Sequence, residues 1–248
     1  MGIQNRVALI TGSASGIGKN TARRLAENGA KVVINDVQAD KVAQTVAEFK
    51  KDGLEAMGQV VNIADKAAVD QMVKDIVDTF GSLDILVNNA GMERAGALRK
   101  LTEQDWDITL NVNLKGAFLC SQAAHNHMVN NNHGRIINIA SRAWLGGAGQ
   151  APYSSAKAGL VGLTRVMALE LGAKGITSNC IAPGLIHTPL WEELPEKNRA
   201  FLLSKQPTGH LGTTDDIAEA VLFLADDDSN YFTGQVLYVC GGRSLYSG

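Results

Sequence analysis

Apolar residues along the chain fall into short runs rich in β-branched side chains, separated by longer stretches with a helical period. Runs at 7–10, 31–35, 55–61, 83–87, 135–139, 176–181 and 235–239 read as seven strands. Stretches at 16–29, 39–52, 65–80, 102–130, 152–173 and 214–225 read as helices, and Gly29, Gly53 and Gly81 close the first three. The strands are nearly continuous apolar runs, the pattern of a parallel sheet covered on both faces. Regular alternation of strand and helix implies a doubly wound α/β sheet with right-handed crossovers.

Composition narrows the function classes. The chain has 248 residues, enough for a single α/β domain, and its 45% hydrophobic content supports a sizeable core. A net charge of -2 argues against nucleic acid or an acidic membrane as partner. Cys120, Cys180 and Cys240 are scattered and odd in number, as free thiols of a reducing compartment are. The first strand starts so early that no signal peptide fits before it, and no apolar stretch reaches membrane-spanning length. The expectation is a soluble cytoplasmic protein. Four of the five prolines, Pro183, Pro189, Pro195 and Pro207, lie in the least regular stretch. That stretch is about 183–213, and its part over about 185–213 is expected to be a substrate lid on a single catalytic domain spanning 1–248.

The turn after the first strand reads Thr11-Gly12-Ser13-Ala14-Ser15-Gly16-Ile17-Gly18. Gly12 permits the sharp turn, Gly16 lets backbone approach a pyrophosphate, and Gly18 lets the helix pack on the sheet. The helix N-terminus then faces the anion with free N–H groups. This is the phosphate cradle of a Rossmann-like fold. Asp36 ends the second strand, where a carboxylate accepts hydrogen bonds from the ribose hydroxyls of NAD and repels the 2′-phosphate of NADP. No Arg or Lys immediately follows Asp36, and Ser15 is not basic, so NAD is the expected cofactor.

Tyr153 and Lys157 stand four residues apart at the start of the helix after strand five, one turn apart on one face. A nearby ammonium is expected to favour the phenolate and lower the pKa of Tyr153, making it an acid–base group for an alcohol or ketone. Ser141 ends strand five, where its hydroxyl can bind the substrate oxygen. Asn113 lies inside a helical stretch, a poor place for Asn unless the helix is kinked there and holds a water against Lys157.

Together these residues resemble the short-chain dehydrogenase/reductase family over essentially the whole chain. The shared motifs are the glycine turn at 11–18, Asn88-Asn89-Ala90-Gly91, Asn113, Ser141, Tyr153 with Lys157, Pro183-Gly184, and Gly241-Gly242. The resemblance implies a catalytic tetrad of Asn113, Ser141, Tyr153 and Lys157, with Lys157 also holding the nicotinamide ribose. It places Asn89, Ala90 and Gly91 along the dinucleotide, with Asn88 structural. Ile186 and Thr188 would meet the carboxamide, beside Pro183 and Gly184. Asn62 and Ile63 would lie by the adenine; Asn62 stands where the family usually has Asp. Cys240 stands where an acid is common, and the segment from Ser141 to Tyr153 is one residue short of many relatives. Ser141 is assigned as the serine because Ala140 has no hydroxyl. The resemblance further implies a homotetramer, with the helices at 102–130 and 152–173 building one interface.

The substrate pocket is expected to use Ser141, Trp144, Gln150, Tyr153, Leu185 and Trp191, with Met92 and Arg94 also within reach. The expected reaction is NAD(H)-dependent hydride exchange between a small-molecule secondary alcohol and its ketone. A 3-oxoacyl reductase acting on carrier-protein or CoA thioesters stays open, although the stretch His125-Asn126-His127-Met128-Val129-Asn130 is neutral where an acidic carrier would need cations. A catalytically silent dinucleotide sensor is the alternative of another class. His125 and His127 point to different sides of a helix, and His187 and His210 are isolated, so no metal is expected.

Overall fold

A computed structural model of the chain describes residues 2–192 and 194–245, with backbone alone for Pro189 and Leu190. Seven parallel strands form one sheet in the order β3-β2-β1-β4-β5-β6-β7. They are β1 (Val7–Thr11), β2 (Lys31–Asp36), β3 (Ala56–Val60), β4 (Ile85–Asn88), β5 (Gly134–Ile139), β6 (Ile176–Pro183) and β7 (Val236–Val239). Helices α1 (Gly16–Glu27), α2 (Ala39–Lys51), α3 (Lys66–Phe80), α4 (Glu103–Leu110), α5 (Gly116–Asn130), α6 (Ala151–Leu171), α7 (Pro189–Glu192), α8 (Glu196–Ser204) and α9 (Thr214–Ala225) connect them.

Alternate residues of each central strand feed two separate cores. Ala8 and Ile10, Val32 and Ile34, Ile85 and Val87, and Ile137 and Ile139 pack with Leu25 of α1, Phe49 of α2 and Val221 of α9. Val7 and Leu9, Val33, Leu86 and Ile136 face the other way, onto Met72 and Ile76 of α3, Met128 of α5 and Met167 of α6. Two apolar faces explain the unbroken apolar runs of the central strands. The edge strands differ: β3 and β7 each present exposed or half-buried positions, because only one neighbour and part of a helix cover them.

Two sequence expectations change. The stretch 102–130 is not one regular helix. α4 and α5 are joined by a π-helical turn, Asn111–Lys115, centred on Asn113. The stretch about 185–213 is not wholly irregular, since it carries α7 and α8. Its base is pinned where Gly212 N–H donates to Leu185 O (3.0 Å) and His187 N–H donates to Gly212 O (2.8 Å).

The switch between crossover directions, with β1 flanked by β2 and β4, opens a crevice at the carboxyl ends of the strands. The opposite ends carry charge instead. Arg6 and His133 both bind Asp227 (2.7 and 2.8 Å), and the buried Asp84 lies 3.6 Å from Arg6 and 3.8 Å from His133. Burial holds the His133 pKa below its ordinary value, against the pull of Asp227. Hydrogen bonds from Arg6 and His133 hold Asp227 below the usual carboxylate range although burial opposes them. The folded protein therefore binds protons at both groups less readily than the unfolded chain. Its stability is full above the ordinary histidine pKa near 6.5 and falls as the pH drops through that value and then through the carboxylate range. Thermal unfolding between pH 7.5 and 5 should show Tm falling with acidity in the wild type and a shallower fall in His133→Asn; identical slopes contradict the assignment.

Candidate active site

The turn between β1 and α1 is shaped for close backbone approach. Gly12 and Gly16 have φ of +62° and +56°, which L side chains rarely adopt. A Cβ at Gly12 would lie 2.7 Å from Ala90 Cα, and one at Gly18 would strike Gly12 O and Asn89 Nδ2. Around Gly16 the space is open, so its backbone faces the crevice. Ser15 is the exposed N-cap residue and makes no side-chain cap, which leaves the first N–H groups of α1 to the crevice. Ile17 packs partly on the core beneath. An anion-binding helix start with no side chain at its closest point fits the pyrophosphate of a dinucleotide.

Side chains whose role the sequence did not reveal hold this turn in place. Thr11 Oγ1 accepts from Asn89 N–H and Ala90 N–H (both 3.0 Å), and Asn89 Nδ2 donates to Thr11 O (2.9 Å) and Gly12 O (3.0 Å). Ser13 Oγ accepts from Asn35 N–H (3.0 Å), tying the turn to β2. Thr11 and Ser13 sit at strand-end positions where a hydroxyl has many alternative uses, so only the contacts disclose the role. Asn88 lies deeper, donating to Asn138 Oδ1 (2.8 Å) and Ser121 Oγ (3.1 Å) between β4, β5 and α5.

Asp36 ends β2 with its Oδ1 accepting from Gln38 N–H (3.2 Å). Asn62 Oδ1 accepts from Ala64 N–H (3.0 Å). The Ile63 side chain is buried against Gly116, where a Cβ would be 2.5 Å from Ile63 Cδ1. What Ile63 can offer an adenine is therefore backbone. Pro183 ends β6, and a Cβ at Gly184 would meet Cys240 Cα at 2.7 Å. Ile186 is buried on the core and Thr188 is half-buried at the start of the 185–213 stretch.

The candidate catalytic groups converge at the ends of β4 and β5. Tyr153 and Ser141 are near enough for the Ser141 side chain to lower the Tyr153 pKa, and Ser141 Oγ accepts from Ala143 N–H (3.1 Å). Lys157 is buried, donates to Ile139 O (2.8 Å), and places Nζ 5.5 Å from the Tyr153 ring centroid. The π turn supplies Asn113, whose Nδ2 donates to Met92 O (2.7 Å) and Thr109 O (2.9 Å). Its buried Oδ1 has no donor among the described residues. A Cβ at Gly91 would lie 2.7 Å from that oxygen and 3.4 Å from Lys157 Nζ. An orphaned acceptor beside an ammonium, in space kept clear by a glycine, suits a ribose hydroxyl or an ordered water.

Burial pushes the Lys157 ammonium down to about 8 and the Tyr153 phenol up to about 12. The Tyr153 value departs from the sequence expectation. Dehydration of the enclosed hydroxyl outweighs the lowering contributed by Ser141, and the charge of Glu93 raises it further. In the protein alone, Tyr153 therefore carries its proton at neutral pH.

A family model described as enoyl-(acyl carrier protein) reductase matches residues 12–244. The chain belongs to the short-chain dehydrogenase/reductase family. It is 72% identical, over the whole of both chains, to (2S)-[(R)-hydroxy(phenyl)methyl]succinyl-CoA dehydrogenase subunit BbsD of Thauera aromatica. It is 40% identical to 3-oxoacyl-[acyl-carrier-protein] reductase FabG of Thermotoga maritima over 98% of this chain and 99% of that one. A gluconate 5-dehydrogenase from Burkholderia cenocepacia, solved with NADP and tartrate, superposes with a TM-score of 0.93 at 36% identity, covering 98% and 96% of the two chains. The protein is thus a short-chain oxidoreductase that uses a nicotinamide dinucleotide to interconvert a secondary alcohol and a ketone.

The remaining pocket candidates of this short-chain dehydrogenase/reductase separate. Gln150 Nε2 donates to Glu93 Oε1 (2.7 Å) on the loop after β4, beside Tyr153. Glu93, absent from the sequence reading, thereby joins the site. Trp144, half-buried, stacks on Tyr238 of β7 (ring centroids 6.4 Å apart) and packs against the cluster that holds Leu160 and Cys180. Trp191 is buried on α7, Leu185 is half-buried, and Arg94 is exposed. Cys240 is buried, with Sγ 3.3 Å from Ser244 Oγ, and its carbonyl accepts from Gln206 Nε2 (2.8 Å). Among the described residues no cluster of His, Cys, Asp and Glu could hold a metal ion. Tyr153→Phe should lower turnover by about a thousandfold while dinucleotide binding, followed by fluorescence titration, stays unchanged; turnover within tenfold of wild type contradicts the role.

Proposed function

We propose that the protein oxidises, with NAD as acceptor, the secondary alcohol of an aryl-substituted acyl-CoA to the ketone. The observation that carries this reading is the end-to-end 72% identity to a relative whose name gives a phenyl carbinol on succinyl-CoA, together with Lys157 Nζ held 5.5 Å from the Tyr153 ring centroid. Catalytic residues are assigned as Asn113, Ser141, Tyr153 and Lys157. Gly12, Ser15, Gly16, Ile17, Gly18, Asp36, Asn62, Ile63, Asn89, Ala90, Gly91, Pro183, Gly184, Ile186 and Thr188 are assigned to the dinucleotide.

Ser141 holds the substrate oxygen by its hydroxyl, and Tyr153 takes the alcohol proton at Oη as the carbonyl forms. When bound, the nicotinamide supplies the acceptor for the hydride leaving the carbinol carbon. Lys157 places a positive charge close to the Tyr153 ring, where it favours the phenolate that oxidation needs. In the reverse direction Tyr153, neutral at physiological pH, returns the proton to the ketone oxygen. Oxidation is therefore expected to quicken as the pH rises, and reduction to favour neutral pH. Leu185 and Trp191 line an apolar lid over the aryl group, with the 185–213 stretch as that lid and Gln150 on the opposite wall.

NAD is favoured over NADP by charge. Asp36 stands at the end of β2, and the α1 cations Lys19 and Arg23 are already paired with Glu48 and Asp52 of the adjoining helix region (2.7–2.8 Å). The protein is also assigned as a cytoplasmic homotetramer. Trp106, Ile108 and Phe118 on the α4–α5 face, and Val166 and Leu169 on α6, are exposed apolar side chains that a second copy would cover.

Purified protein should form NADH from an aryl-substituted 3-hydroxyacyl-CoA, with NAD at least tenfold more efficient than NADP, and Asp36→Ala should narrow that ratio. Preference for NADP would overturn the cofactor assignment. Activity confined to 3-oxoacyl carrier protein would favour the role named for the Thermotoga maritima relative instead.

A further inference from the structure

The loop after β4 is fastened to the crevice at three points. Asn113 Nδ2 donates to Met92 O (2.7 Å), Gln150 Nε2 donates to Glu93 Oε1 (2.7 Å), and Gly96 N–H donates to Gly149 O (2.8 Å). Glu93 is thus fixed between the π turn and the segment that leads into α6. A carboxylate only accepts hydrogen bonds, so it selects the Gln150 amide orientation with nitrogen toward Glu93. The amide oxygen then folds back over Gly147, where a Cβ would strike Gln150 Oε1. Gln150 is the residue before α6, three positions ahead of Tyr153, and its carbonyl accepts from Ser154 N–H (2.7 Å) in the first turn.

We propose that Glu93 is a positioning residue of this active site: from the exposed loop after β4 it locks the Gln150 amide at the start of α6 and keeps a carboxylate at the rim of the acid–base site. The proposal rests on Tyr153 as the acid–base group, but not on the identity of the substrate.

The groups that face Tyr153 are few. Lys157 stands on its own helix and Ser141 at the end of β5, while the charge of Glu93 reaches it from the exposed loop after β4. Cys180 of β6 lies behind Lys157 as a thiol that burial pushes up to about 11. Burial and Glu93 both raise the phenol, and the Ser141 side chain lowers it. The charge of Glu93 thus acts on the phenol in the opposite sense to the Lys157 ammonium. A site so balanced stays a proton donor over a wide pH range, which suits the ketone-reducing direction and delays the alkaline onset of oxidation.

Glu93→Gln keeps an acceptor for the Gln150 amide and removes the charge; Glu93→Ala removes both. The rising limb of kcat against pH for alcohol oxidation should move to lower pH by about one unit in both variants, the size of a unit charge acting across several ångströms of protein. KM should stay within about twofold of wild type in Glu93→Gln and rise several-fold in Glu93→Ala. Phenolate absorbance, read against Tyr153→Phe protein, should begin at lower pH in Glu93→Gln. That titration needs no substrate, so it decides the charge role even where the substrate assignment fails. A limb and a titration superimposed on wild type overturn the proposal, as does an unchanged KM in Glu93→Ala.

Discussion

Everything at the active site is arranged around one buried ammonium. Lys157 Nζ is enclosed where α6 meets the end of β5, beside the cluster of Ala140, Leu160, Val161 and Cys180, and among the described residues its hydrogen-bond partner is one carbonyl, Ile139 O. Removing an ammonium from water costs several kcal/mol even after relaxation. The cost shows in its pKa, drawn down to about 8. The surrounding residues accommodate that charge. Gly91 leaves room above it, the π turn brings Asn113 Oδ1 to the same space, and the β5 end presents Ser141 one helix face away. A side chain larger than hydrogen at Gly91, or a regular helix through Asn113, would close the space that Lys157 opens onto.

The rest of the fold keeps this rim rigid by separating two kinds of work. Apolar contacts on both sheet faces fix the strands, and the ion cluster of Arg6, Asp84, His133 and Asp227 closes the opposite ends. The strand ends at the crevice are then available for hydroxyls, amides and glycines, whose hydrogen bonds to each other set the site geometry. Thr11, Ser13 and Asn89 link β1, β2 and β4 in this way without touching any reacting atom. Substrate preference falls to the parts that the sheet leaves out, the loop after β4, the turn after Ser141 and the segment carrying α7 and α8.

Much of this was readable from the chain, for identifiable reasons. Continuous apolar strands and glycine stops report burial on both faces, which local sequence encodes directly. The phosphate turn and the Tyr153–Lys157 spacing were legible because their chemistry demands particular residues at particular offsets. Asn113 signalled a helix irregularity because its side chain competes with the helix backbone, although the spacing could not show that the irregularity is a π turn. The acidity of Tyr153 was misjudged because it depends on how far the hydroxyl is enclosed, a property of the packed fold. The stacking of Trp144 on Tyr238 was not legible, because Tyr238 lies on the last strand. Glu93, between Met92 and Arg94, carried no signal in the sequence; only the fold brings Gln150 onto it, 57 residues away in sequence.

The central claim is that Lys157 is buried for chemistry and at the expense of stability. The most direct measurement compares Lys157→Met with wild type in turnover and in thermal unfolding. The account expects turnover to fall by a thousandfold or more, while Tm holds or rises, since an apolar side chain of similar length replaces a buried charge with one hydrogen bond. A variant that keeps its turnover, or loses Tm by ten degrees or more, would contradict it.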